Sequence, residues 1–142
     1  RLLTNCIGQG YIGQEHTRGK IMKKVLSIYS WAFIVFMSIG ETVVLMTTDK
    51  YWPLSLDDYL GLAALAYATI FVRVPVRYLW MVVCYAAMAG NIYAMLFNRL
   101  DPIHGSGERI VPLIIILIYL SGGLLLSLIA LHREKTTAIN GS

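Results

Sequence analysis

The most informative feature of this 142-residue chain is its shortage of charge: 14% of the residues are Asp, Glu, Lys or Arg, and 57% are hydrophobic. An ordinary soluble domain is about a quarter charged. The deficit is concentrated in three stretches. Glu41 is the only Asp, Glu, Lys, Arg or His between Val25 and Met46, and there is none between Leu79 and Phe97 or between Ile110 and Leu131. Uncharged apolar runs of about 18 residues or more are too long for most core helices and match the width of a bilayer.

Other absences narrow the reading further. With only Cys6 and Cys84, there is no disulfide framework and no metal-ligand spacing. The histidines His16, His104 and His132 all fall outside the apolar runs, which argues against intramembrane haem or metal ligation through histidine. No serine–histidine–acid set, phosphate-cradling loop or pair of intramembrane carboxylates is visible. Gly8-x-Gly10-x-x-Gly13 matches a dinucleotide fingerprint in letters only, because no strand precedes it. The net charge of +4 is not interleaved with aromatics on a polar face, so it excludes a nucleic-acid role and points to membrane topology. No cofactor is implied.

What is present is a set of apolar segments with interface and turn chemistry between them. Span one covers 25–47. It is too long for a cleaved signal peptide, and no small-residue cleavage site follows it. Asp49, Lys50, Tyr51, Trp52 and Pro53 then mark a headgroup-level connection. Ser55-x-x-Asp58 reads as a capping box, and Asp57 and Asp58 suit the positive end of a helix dipole, so span two runs over 56–72. It is the shortest of the set. Val74-Pro75 disfavours helix, which makes Arg73–Val76 a tight turn. Span three covers 78–97. The Asp101-Pro102 and Gly105-Ser106-Gly107 turns follow, and span four covers 109–131 with Pro112 tolerated in its first turn. The fold expected is an all-α membrane protein, a bundle of four transmembrane helices. Residues 1–24 form a cytoplasmic N-terminal segment without a clear period, of which 1–21 read either as a leader dispensable for the fold or as a floppy tail, and residues 132–142 form a cytoplasmic tail.

Orientation follows from the basic residues. Nine Lys and Arg flank the first and last spans and the 2–3 turn, against three (Lys50, Arg99, Arg109) on the other side. The excess faces the cytoplasm, which places both termini there. The expected location is a cell (plasma) membrane of the bacterial cytoplasmic type, with the lipid bilayer and either further copies or other membrane proteins as partners.

Hydrophobicity does not drive span against span in lipid; close packing at small residues does much of that work. Ala86, Gly90 and Ala94 form one such stripe in span three, Gly61, Ala64 and Ala68 another in span two, and Gly123 and Ser127 a third in span four. These are expected to face other helices. Ser121-Gly122-Gly123 reads as a packing notch ahead of a functional break.

Glu41 is the residue most open to a chemical role. It lies about six residues, or roughly 9 Å, inside the end of span one, where an ionised acid costs about 2–3 kcal/mol or somewhat less. Asn91 lies at matching depth in span three and is the partner expected for it, with Ser38, Thr42 and Tyr93 near the same level. The cluster reads either as an interhelical hydrogen bond that sets register or as a proton-carrying carboxyl. Asp57 and Asp58 read as a capped helix start ahead of a cation site, and Arg73 and Arg77 as topology markers ahead of an anionic-lipid site. Three functions are consistent with this. The first is an accessory or assembly module without enzymatic activity. The second is a small oligomeric proton-coupled transporter using Glu41. The third is a lipid- or quinone-handling enzyme subunit.

Overall fold

The computed structural model describes residues 2–47, 56–74, 76–103, 105, 107 and 109–140, with side chains described for 19, 21–47, 56–74, 76–103, 105, 107 and 109–136. It is all-helical over its regular elements: α1 (Leu2–Thr47), α2 (Leu56–Ile70), α3 (Val76–Leu100) and α4 (Ile110–Asn140). Three stretches are long and apolar enough to cross a membrane: Ile21–Thr47, Val76–Leu100 and Ile110–Thr136. The 15 residues of α2 rise only about 22 Å, short of a hydrocarbon core of about 30 Å.

Helix extends into both terminal segments. The N-terminal segment without period is helical and continuous with span one. No proline interrupts residues 2–47, and extending an existing helix avoids the cost of a new nucleus. The tail at 132–142 is likewise helical as far as Asn140, because α4 meets neither glycine nor proline after Gly123. The Ser55 cap and the Tyr51–Trp52 interface lie outside the described residues.

The remaining ends follow local chemistry. Helix α2 stops at Ile70, and the Phe71 amide still donates to the Tyr67 carbonyl at 2.9 Å. Pro75 has no N–H with which to continue the ladder. Helix α3 outruns its expected end to reach Leu100, where Asp101-Pro102 breaks it. The turn beyond is tied by Gly105 N–H to the Asp101 carbonyl (2.8 Å) and by Ile103 N–H to Asp101 Oδ1 (2.9 Å). A Cβ at Gly105 would collide with the Arg99 and Asp101 carbonyl oxygens, so only glycine fits. Arg109 enters α4 at φ 58°, a left-handed conformation costly for a side chain of its size.

Each helix packs on its chain neighbours, and α1 also packs on α4. Leu26, Phe33, Leu65, Met81, Tyr85 and Leu120 fill the space between them. The outer surface is the reverse of a soluble protein's: Phe36, Ile39, Val83, Ile115, Ile118 and Leu125 are all more than half exposed, while Ser30 and Ser127 are wholly buried. Apolar side chains outside and hydrogen-bonded hydroxyls inside suit a lipid solvent.

Candidate functional site

The polar residues near one end of the helices form a layer across α1, α2 and α3. Asn91 Nδ2 donates to Asp57 Oδ2 at 2.9 Å and to Asp58 Oδ1 at 3.4 Å. Asp58 is 8% exposed, and its amide N–H is bonded to Asp57 Oδ1 at 3.0 Å. On the other side of α2, Thr42 Oγ1 donates to the Ser38 carbonyl (2.7 Å) and lies 3.0 Å from the Tyr59 hydroxyl. With its one proton directed at Ser38, Thr42 accepts from Tyr59. Glu41, half-buried, stands one residue away in the same layer.

This layer is recessed. Asn91 lies nine residues before the end of α3 at Leu100, about 14 Å along the axis. Helix α1 continues five residues past Thr42 to Thr47, and α3 nine past Asn91 to Leu100, the latter stretch carrying Asn98 and Arg99 near its end. Beneath the acids is a cavity of about 370 Å³, lined by Phe33, Met37, Ala64, Met88 and Leu120 among others, with Asp57, Asp58 and Asn91 contributing its polar groups. It is an open groove and not an enclosed chamber: Leu60, Ala64 and Ala87 in its lining are exposed, as is Asp57.

Several expected site residues are placed differently. The amide protons of Asn91 go to Asp57 and Asp58, so they are not directed at Glu41. Tyr93 is 52% exposed and packs on Phe97, with ring centroids 4.4 Å apart. Two residues beyond Asn91 is about 200° around a helix, so equal depth does not give a shared face. Tyr59 was not anticipated. The signal for it was its place beside Asp58, at the start of a helix antiparallel to α1.

A second polar cluster links α1, α3 and α4. Tyr29 OH donates to the Tyr119 carbonyl (2.7 Å), and Tyr119 OH donates to the Tyr29 carbonyl (3.0 Å). Their rings stack with centroids 4.2 Å apart. Ser30 Oγ donates to the Leu26 carbonyl (2.9 Å), so the Tyr85 hydroxyl, 2.9 Å away, donates to Ser30. Gly122 and Gly123 make the room for this cluster, since a Cβ would meet Tyr29 OH at 2.7 Å or the Tyr85 ring at 2.5 Å. Among the described residues no buried side-chain polar atom lacks a partner.

The three small-residue stripes diverge. Gly123 seats the Tyr85 ring, and Ser127, wholly buried, donates to the Gly123 carbonyl at 2.8 Å. In α2, Ala68 is wholly buried, Gly61 lies against Met88, and exposed Ala64 lines the cavity. In α3, by contrast, Ala86, Gly90 and Ala94 are exposed, and nothing lies within 4 Å of a Cβ built on Gly90. The expectation that this stripe meets another helix fails within the chain. The inward face of α3 is built from bulky residues instead, among them Tyr78, Met81, Tyr85 and Ile92. Cys84 is a buried free thiol. The described residues contain no group of three or more His, Cys, Asp or Glu placed to hold a metal.

No family model, curated protein or solved structure matches this chain.

Proposed function

We propose that the chain is an integral membrane protein of four spans, with α2 as a short fourth, that serves as a packing module beside other membrane helices in a plasma membrane. Charge segregation supports the topology. Lys23, Lys24, Arg73, Arg77, Arg133 and Lys135 gather at one end, and Glu41, Asp57, Asp58 and Asp101 at the other. The positive-inside rule places the basic end, and with it both termini, in the cytoplasm.

The observation that carries the module reading is the outward face of α3. At Ala86, Gly90 and Ala94 the backbone is open to close approach by a further helix, the arrangement by which membrane helices associate. The occupant is a second copy or another membrane protein. The test is the native mass of the chain in a mild detergent. A complex that is lost in A86L/G90L, with helicity retained, supports the reading. A lone chain in both proteins refutes it.

A second reading, proton-coupled transport, is favoured by the recessed layer that contains Glu41 and adjoins the cavity. Glu41→Gln keeps hydrogen-bonding capacity but cannot carry a proton. On this reading the variant is folded and inactive in proteoliposome flux, whereas retained flux removes Glu41 from the mechanism.

A further inference from the structure

We propose that the basic end of the helices is a binding surface for anionic phospholipid headgroups. The inference rests on the membrane reading and adds a ligand to it. Six Lys and Arg come from three separate parts of the chain: Lys23 and Lys24 on α1, Arg73 and Arg77 around the α2–α3 turn, and Arg133 and Lys135 on α4. Glu134 is the one acid among the described side chains there. All six bases are exposed except Arg77, which is half-buried.

The Arg73–Arg77 pair is the centre of the surface. The Arg77 amide donates to the Arg73 carbonyl at 3.0 Å, which holds the two residues one turn apart. Basic residues one turn apart concentrate positive charge at this end of the helices and attract a phosphodiester there. The guanidinium fork also matches phosphate oxygens better than an ammonium does.

The surroundings decide for a lipid over a free phosphate. Phe71 is 67% exposed, Val76 51% and Trp80 48%. Trp80 lies three residues beyond Arg77, so both share one helix face. An indole at this position suits the headgroup boundary. A headgroup on the arginines would thus leave its acyl chains along exposed apolar side chains. Ile21, Val25 and Ile28 on α1, and Leu128 and Ile129 on α4, continue the same apolar border.

The test uses the full chain in bicelles of phosphatidylglycerol and phosphatidylcholine with identical acyl chains at equal abundance, and reads lipids retained on the protein by native mass spectrometry. Wild type is expected to retain phosphatidylglycerol in preference. Each base near a headgroup contributes about a fivefold preference, so R73Q/R77Q should lower it by about 25-fold. R109Q, at the opposite end, should leave it unchanged. Raising salt from about 0.05 M to about 0.5 M should weaken the wild-type preference, a measurement that stands even if the double variant does not fold. Free glycerol phosphate should not displace the lipid.

Equal retention of the two lipids by wild type, a preference insensitive to salt, or an undiminished preference in a folded R73Q/R77Q would overturn the proposal and leave the bases as topology markers. Displacement by glycerol phosphate would overturn the assignment to lipid. A chain that fails to enter bicelles at all would instead refute the membrane reading.

Discussion

Replacing Gly123 by alanine should destabilise the protein, although alanine is the better helix former. A Cβ at this position would lie 2.5 Å from Tyr85 Cε1, 2.6 Å from Cζ and 2.8 Å from Cδ1. Carbon–carbon contacts settle at about 3.5–4.0 Å, so the ring or the helix must move by about 1 Å. The ring has nowhere to go. Tyr85 is wholly buried, has Phe33 at 6.3 Å and Tyr29 at 6.5 Å between centroids, and donates to Ser30. Overpacking of this kind costs about 1–3 kcal/mol, and displacing the hydroxyl risks a further 0.5–1.5 kcal/mol or so. The helix-propensity gain is only about 1 kcal/mol, so the net loss should be about 1–3 kcal/mol. Gly90→Ala is the matched control, because its Cβ meets nothing within 4 Å. It should gain about 0.5–1 kcal/mol in a monomeric micelle. Far-UV circular dichroism during SDS-induced unfolding reads both variants. Tyr85→Leu in the Gly123→Ala background should recover part of the loss, a coupling that a double-mutant cycle isolates. A Gly123→Ala protein as stable as wild type would refute the packing argument.

Three further outcomes are expected. Tyr85→Phe removes the donor to Ser30 and should cost about 0.6 kcal/mol, and at most about 1.7, in the same unfolding assay. Asn91→Asp replaces the donor that bridges Asp57 and Asp58 with a third carboxylate. It should destabilise by more than Asn91→Ala, itself worth about 1–3 kcal/mol, and equal losses would show that the bridge carries no charge. Arg109→Gly relieves the left-handed backbone at φ 58° and should raise stability by about 1 kcal/mol, whereas Arg109→Val should lower it, both read by thermal melts.

The limits of the sequence reading show most clearly at Asn91 and Tyr93. Counting residues placed Glu41, Thr42, Asn91 and Tyr93 at one depth. Counting could not say which of them face each other, because that depends on how each helix is rotated against its neighbours. In the sequence, Asp57 and Asp58 mark the start of a span. Their bonds to Asn91 set them about 14 Å inside the end of α3. The stripe in α3 was legible as a place where backbones can approach, yet the letters give no sign that α3 turns its bulky side inward.

Absence of charge over three long apolar runs determined the all-helical character and the membrane candidacy, because each backbone polar group in lipid must be satisfied within its own segment. Asp101-Pro102 determined where α3 stops, because proline removes a donor and the pair favours a turn. The tertiary structure alone decided that α2 starts low, that Asn91 bridges two aspartates, that two glycines seat two tyrosines, and that the small-residue face of α3 looks outward. Distance along a helix is a local property, set by a fixed rise per residue. The direction a side chain faces in the assembled protein is settled only when neighbouring helices compete for the same space.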